Sequence, residues 1–524
     1  MAINVYDPCA DGVIESGTPA ENSFAESTGH WILAAAILGS TITFIDGAVV
    51  GIALPILQKE LGASVSEAQW IVQSYALMLA ALLLIGGSLG DRYGSKTIFA
   101  WGIFVFAAAS VGCGLSADIS QLILARTAQG IGAALLVPGS LAIISQSFPK
   151  EKRGSAIGTW SGSTAIAAGF GSVLGGWLIA NFSWRLIFFI NVPLAVIVLL
   201  IVWRRVPESR DEKQAKSLDW TGATLATIGL GGVVFGIIEA GGRGFGDGLV
   251  TASLATGIVA LLLFVVVEWH SPAPMIPLEL FRSKTFMGAN LLTLLLYSAL
   301  GSVLFFLPFN LIQVQNYSTT AAGSSLLPFI LMMFALSRWS GGLVGRYGSR
   351  PPLVVGPVIA AIGFLLFALP ETEAASYWTS FFPAILVMSF GMTVSVAPLT
   401  TTVLGSVATN QAGIASGINN AISRTASLLS VAVLGIFMLQ TFSADLDRKL
   451  NALEIPAEIR LQVEGGKNAL AALKIPENAS DESKQTIRQV VNESFVTGFR
   501  LVAYIAAGLA LLSAAAAWWL IAKK

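Results

Sequence analysis

The stretch GGSLGDRYGSK at 86–96 returns, one residue shorter, as GGLVGRYGSR at 341–350, and each copy lies where one long apolar run gives way to another. A basic, glycine-rich turn between two apolar runs reverses the chain at a bilayer surface. Gly87, Gly90 and Gly94 allow tight turning, while Arg92 and Lys96 stay among the headgroups. Arg346, Gly348 and Arg350 hold the matching places in the second copy. Two such turns predict a duplicated membrane protein on the parallel-repeat plan of secondary transporters.

With 55% hydrophobic and 11% charged residues, the chain has too little polar surface for a water-soluble globule. A formal net charge of zero gives no footprint for nucleic acid. Crossing the hydrocarbon takes about 20 residues. Runs of that order are placed at 32–55, 70–90, 97–116, 121–147, 154–180, 185–203, 219–240, 249–269, 286–311, 321–344, 353–370, 379–407, 412–440 and 498–521. The reading is an all-α polytopic protein of about fourteen helices. Residues 1–29 lack the basic-then-apolar pattern of a cleaved signal, so the first span is expected to serve as an uncleaved insertion signal.

Lysine and arginine gather in alternate turns: Arg92, Lys96, Lys150, Lys152, Arg153, Arg204, Arg205, Arg210, Lys213, Lys216, Arg282, Lys284, Arg346 and Arg350, with Lys523 and Lys524, on one side, against Lys59, Arg185 and Arg243 in the short turns of the other. The richer side is expected to be cytoplasmic, with both termini there. The duplication continues, since Pro138 matches Pro398 and GSAIG at 154–158 matches GIASG at 413–417. The chain divides into a tail (1–30), a six-helix half (31–203), a charged linker (204–218), two inserted helices (219–270) and a second six-helix half (286–524). The loop 441–497 within that half is expected outside, as a small amphipathic helical cap.

FIDGAVVGIALP at 44–55, the turn residues Gly87, Leu89, Asp91, Arg92, Gly94 and Lys96, LARTAQGIGAA at 124–134 and SWRLIFFINVP at 183–193 together resemble the major facilitator superfamily, and within it the fourteen-span drug:proton antiporter group. The resemblance covers nearly the whole chain from residue 31. It implies the major facilitator fold, with the two inserted helices between the halves, and proton-driven efflux from a plasma membrane, the bacterial cytoplasmic membrane above all. One motif departs: where the group carries Gly-Pro-x-x-Gly-Gly in the fifth helix, this chain has Gly171, Ser172, Val173, Leu174, Gly175 and Gly176. The glycine face remains, whereas the proline kink is expected to be missing.

An ionised side chain at mid-helix costs at least ~2.5–3.5 kcal/mol on insertion scales, so each needs an explanation. Asp46 lies nine residues from the end of the first span, or ~13 Å. It is balanced between burial, which favours the neutral acid, and a neighbouring cation, which favours the carboxylate. It reads as the proton- or substrate-coupling group, or as a fixed partner of Arg126. Arg126 carries the same choice between function and structural pairing, Arg424 that between function and an inter-helix carbonyl cap, Arg338 is expected to snorkel to the cytoplasmic surface, and Glu239 is a lesser candidate. Asp91 and its turn read as a conformational gate or a topology anchor. Gly158, Gly162, Gly171 and Gly175 are spaced for close, sliding helix contact or for static packing. Trp70, Gln73, Tyr75, Gln129 and Asn310 are candidates to line a cavity.

The leading expectation is a proton-coupled exporter of amphipathic or cationic compounds, acting on a small-molecule substrate, protons and the bilayer, with no cofactor beyond the proton gradient. A membrane-fusion partner for export is left open. The alternatives are transport of a specific metabolite, lipid or anion through Arg126 and Arg424, and a membrane receptor or enzyme. The two histidines and two cysteines are too scattered for a metal site, and no P-loop occurs.

Overall fold

Each apolar run becomes a helix whose ends are set by the residues flanking it. The computed structural model describes residues 26–148, 150–208, 219–271, 274–372, 376–408, 411–453 and 455–522, and among these every regular element is helical. The first half comprises α1 (Glu26–Leu61), α2 (Val65–Tyr93), α3 (Ser95–Leu115), α4 (Ile119–Ser147), α5 (Lys150–Asn181), α6 (Leu186–Phe189) and α7 (Asn191–Arg205). The insert is α8 (Trp220–Arg243) and α9 (Gly248–His270). The second half follows as α10 (Lys284–Phe309) with a π turn at Asn310–Val314, α11 (Thr319–Ser325), α12 (Leu327–Tyr347), α13 (Arg350–Leu366), α14 (Tyr377–Gly405), α15 (Ala412–Asn451), α16 (Ala457–Gly465) and α17 (Asp481–Leu520).

Local chemistry explains the boundaries. Ser64 and Glu67 form a capping box at the start of α2, and Asp118, Asp219, Asp247, Ser283, Ser318 and Ser480 each accept a backbone N–H at a helix start. Gly94 (φ 104°) and Gly348 (φ 79°) end α2 and α12 in the left-handed region, at corresponding positions of the repeated turn.

Among the described residues, eleven helices are long and apolar enough to cross a bilayer, and the stretches Ile166–Asn181 and Arg350–Leu366 are apolar but shorter. With α2, these account for the fourteen runs. Two runs read as single helices are broken: 185–203 at Ile190, between α6 and α7, and 321–344 at Leu326, where Pro328 opens α12. The 441–497 segment is less independent than its polarity suggests. α15 runs on to Asn451 and α17 starts at Asp481, leaving α16 and a 3-10 turn at Lys467–Ala472 as the cap proper. Residues 1–25 and 209–218, most of the tail and linker, lie outside the described residues.

The repeat is visible in the packing. α2 packs on α15, and α5 packs on α11 and α12, so the second helix of each half meets the fifth of the other. The repeated turns are also held alike, each by the last helix of its own half. Lys96 Nζ donates to Trp203 O on α7 at 3.5 Å, and Arg350 donates to Trp518 O on α17 with its guanidinium over the Trp518 ring. In the first copy Glu208 adds an anchor, accepting from Thr97 Oγ1 at 2.5 Å and filling the space where a side chain on Gly94 would lie.

Among the described residues, the hydrogen bonds joining the halves all lie toward the face carrying the cap. Gln69 Nε2 donates to Val431 O and Gln73 Nε2 to Leu428 O, both at 2.9 Å. Thr319 Oγ1 donates to Gly176 O at 2.7 Å, and Gln313 Nε2 to Gln58 Oε1 at 3.1 Å. Gln58 Nε2 also donates to Ala469 O of the cap at 3.0 Å, and next to it buried Leu470 holds a left-handed φ of 51°. Below the seam, at the middle of α1, Gly47 and Gly51 meet nothing within 4 Å and Phe44 is 40% exposed. Since α4, α5 and α7 enclose α1, with α10 and α11 reaching it on the side of the second half, that exposed face looks into the gap between the halves. The molecule is closed at the cap face and splayed away from it.

A methyl group on Gly176 would collide with the Thr319 carbonyl, which is backbone and has nowhere to go. Gly176→Ala should therefore pry α5 from α11. Spin labels at Lys59 and Glu371 should report a longer and broader distance distribution across the cap face than in the wild type, and an unchanged distribution would show that this closure tolerates the extra atom.

Candidate functional site

The polar residues of α1, α3, α4 and α7 meet in one knot inside the first half. Arg126 on α4 donates through Nη1 to Asp46 Oδ2 at 2.5 Å and to Gln129 Oε1 at 2.6 Å, and through Nε to the Ile71 carbonyl at 3.0 Å. Gln129 Nε2 donates to Asp46 Oδ1 at 3.0 Å and to Ser110 Oγ at 2.7 Å. Asn191 Nδ2 reaches the same two acceptors at 3.3 and 3.4 Å. The Tyr75 ring lies under the guanidinium, 4.4 Å from its centre. Asp46 and Arg126 are each 1% exposed.

The helices place these groups by spacing and by breaks. Arg126 and Gln129 sit three residues apart on one face of α4. The break at Ile190 sets Asn191 at the start of α7, facing inward, and SWRL before it is pinned by Trp184 Nε1 donating to Glu60 Oε2 at 2.9 Å and Arg185 Nη2 donating to Ser116 O at 2.9 Å. Arg126 and Asp46 satisfy each other almost completely, as a buried ion pair must. The exception in the knot is Asn191 Oδ1, which is buried with no hydrogen-bond partner.

Other sequence candidates fall elsewhere. Gln73 is buried in the α2–α15 seam rather than lining open space, and Gln129 belongs to the Asp46 knot. Trp70 donates to Glu239 at 3.4 Å, and Glu239 pairs with Arg243 at 3.0 Å, so this carboxylate serves the contact of the insert with α2. Asn310 lies where α10 passes into its π turn, buried, with Oδ1 lacking a partner. Arg424, one turn below the last seam bond on α15, makes no hydrogen bond or ion pair among the described residues.

On α5, Gly171 and Gly175 face Ile45 and Val49 of α1, and Gly176 faces α11. Gly158 and Gly162 lie on the same helix, with nearby side chains outside the described set. Ser172 Oγ donates back to Ala168 O at 3.1 Å in an unbroken helix, as expected where proline is missing. Arg92 and Arg346 are exposed, and the Asp91 side chain lies outside the described set. Sequence reading missed Ser110, Asn191 and Glu208. A polar Asn191 inside FFINVP was the available signal for one of them.

The model of the Major Facilitator Superfamily matches residues 36–431. The chain belongs to the Major Facilitator Superfamily. Among its relatives in this superfamily, the tetracenomycin C resistance and export protein of Streptomyces glaucescens is 30% identical over 488 residues, covering 93% of this chain and 90% of the relative. The multidrug resistance protein Stp of Mycobacterium tuberculosis is 32% identical over 414 residues, covering 79% and 76%. Solved structures of the same fold include a bacterial homologue of the human lysosomal transporter Spinster, inward-facing and unoccupied. It has TM-score 0.67 and 19% identity over 94% of this chain and 98% of that one. The inward-open xylose transporter XylE of E. coli gives TM-score 0.55 and 15% identity over 95% and 97%.

In this superfamily member the ion pair cannot be halved cheaply. Removing one partner of a buried pair costs roughly 3–5 kcal/mol, because the other charge stays buried and uncompensated. Neutralising Asp46 alone therefore strands Arg126. Asp46→Asn and Arg126→Gln should each lower the unfolding temperature in detergent. The double variant should lose clearly less than the sum, with a coupling on the order of 3 kcal/mol; additive losses would mean the two charges act independently.

Proposed function

We propose that this protein is a proton-coupled exporter of amphipathic drugs and toxic compounds, working by alternating access in a bacterial cytoplasmic membrane. The observation that carries this reading is the sealed Asp46–Arg126–Gln129–Asn191 knot. A carboxylate with a counter-charge and an idle acceptor, buried in a half-molecule that must move, is suited to hold and release one proton. The export and resistance proteins related to it by sequence support the outward direction. The positive-inside asymmetry supports cytoplasmic termini and an external cap, so the conformation closed at the cap face faces inward.

The chemistry follows from the hydrogen-bond inventory. Ionised Asp46 accepts from Arg126, Gln129 and Asn191. A protonated Asp46 carries an O–H that needs an acceptor, and a half-turn of the Asn191 carboxamide offers Oδ1, which otherwise has none. Arg126 then retains Gln129 Oε1, Ile71 O and the Tyr75 ring but loses its counter-charge, which loosens α1 from α4. Because Gly171 and Gly175 seat α1 on α5, and α5 closes the cap-face seam through Gly176, a shift of α1 reaches that seam directly. The protein draws on the proton gradient and needs no further cofactor, and its role is transport rather than catalysis.

In proteoliposomes with an imposed pH gradient, the wild type should concentrate ethidium against its own gradient. Asp46→Asn should abolish this while leaving downhill exchange, and full gradient-driven transport by that variant would remove Asp46 as the coupling group. For orientation, a lone cysteine at Glu477 in the cap should react with a membrane-impermeant maleimide in intact cells. Reaction only after the inner face is exposed would invert the topology.

A further inference from the structure

Arg126 and Arg424 differ in what remains free on them. Arg126 is consumed by Asp46, Gln129, Ile71 O and the Tyr75 ring. Arg424 is not. It lies on the line of α15 that faces α2, where Leu428, Val431 and Gly435 meet Gln73 and Gln69. Four residues below Leu428, or ~6 Å along the helix, Arg424 is the first of this line past the last seam hydrogen bond. Asn420, one turn further, is already exposed, because α2 and α15 have parted.

The donors at this opening are unused. Among the described residues neither the Arg424 guanidinium nor the Asn420 carboxamide makes a side-chain hydrogen bond, and the two are i,i+4 neighbours on one face. The Tyr75 hydroxyl, across on α2, likewise has no hydrogen bond among the described residues, and it lies in the electrostatic field of both Arg126 and Arg424. The carboxylate whose field reaches Tyr75, Asp46, is already neutralised by Arg126. An unpaired guanidinium with a neutral donor on either side, where α2 and α15 part inside the membrane, fits an anionic group attached to an apolar body.

We propose that Arg424, with Asn420 and Tyr75, forms a subsite for the carboxylate of an amphipathic acid. This deepens the export reading and rests on it for direction, but the binding itself needs no gradient. Tyr75 also joins the two sites physically, since its ring carries Arg126 while its hydroxyl faces the acid. A bound acid thus touches the side chain on which the proton-holding pair rests.

The test is equilibrium binding to the full chain in phosphatidylcholine nanodiscs, using the fluorescent probe 11-(dansylamino)undecanoic acid and its methyl ester. A charge-assisted pairing predicts that the wild type binds the acid roughly tenfold or more tightly than the ester. Arg424→Gln should bind the two alike, and Arg424→Lys should keep a preference. Asn420→Leu, at an exposed position with no internal bond to break, should reduce the preference severalfold. Equal binding of acid and ester by the wild type, or an intact preference in Arg424→Gln, would overturn the proposal. Loss of the preference on replacing phosphatidylcholine by phosphatidylglycerol would assign the site to a lipid headgroup and overturn its assignment to a free acid. Because no pH gradient is applied, failure of proton-driven export leaves these outcomes readable.

Discussion

A carboxylate and a guanidinium that meet inside a bilayer must find nearly all their partners within the protein, and the Asp46–Arg126 pair organises the first half accordingly. α1 supplies the acid, α4 the base and Gln129, α3 Ser110, α7 Asn191, and α2 the Ile71 carbonyl and the Tyr75 ring. Five helices are thereby tied at one point by bonds that are strong because water is excluded. The second half uses neutral ties in the comparable region. Asn419 Nδ2 donates to Thr293 Oγ1 and Asn290 Oδ1, Ser298 Oγ to Ala426 O, and Ser427 Oγ to Tyr297 O. In this region one half is bound by charge and the other by hydroxyls and amides.

How much of this was legible follows from the range of each interaction. The repeated turns, the span count and the division into halves depend on local hydrophobicity and on glycine at positive φ, and these survive in the sequence. The partnership of Asp46 and Arg126 could be stated only as one of two alternatives, because choosing between them needs the approach of residues eighty positions apart. The same applies to Gln73. A glutamine inside a span reads as cavity lining until α15 supplies the Leu428 carbonyl that it bonds. Glu208 was invisible because its meaning comes from Gly94, on another helix, whose missing side chain leaves it room. The breaks at Ile190 and Leu326 escaped notice although Asn191 and Pro328 stand beside them, because each lies inside a run apolar enough to read as one span.

The correspondence between Lys96 with Trp203 and Arg350 with Trp518 shows a duplication kept in a function of the turn rather than in its letters. Each basic residue closes its turn onto a backbone carbonyl of the sixth helix of its own half, so both turns move with that half. Among the described residues, the Glu208 anchor has no counterpart in the second copy. In the first copy the turn is held from two directions, by Lys96 outward and by Glu208 inward, whereas the second turn leans on aromatic stacking. The two turns are therefore held by unequal sets of contacts, although they follow one pattern.

The inserted pair α8 and α9 has a consequence beyond raising the span count. α8 packs on α2 and on α15 at once, one helix from each half, while the α5–α12 side has no such cover among the described residues. A compound dissolved in the lipid thus meets two unlike flanks. One is plated over by a helix hairpin, and the other is bare groove between α5 and α12, where Ile166 and Phe170 are exposed. The insert gives the barrel a front and a back. One flank between the halves is covered by the hairpin, and the other is left uncovered among the described residues.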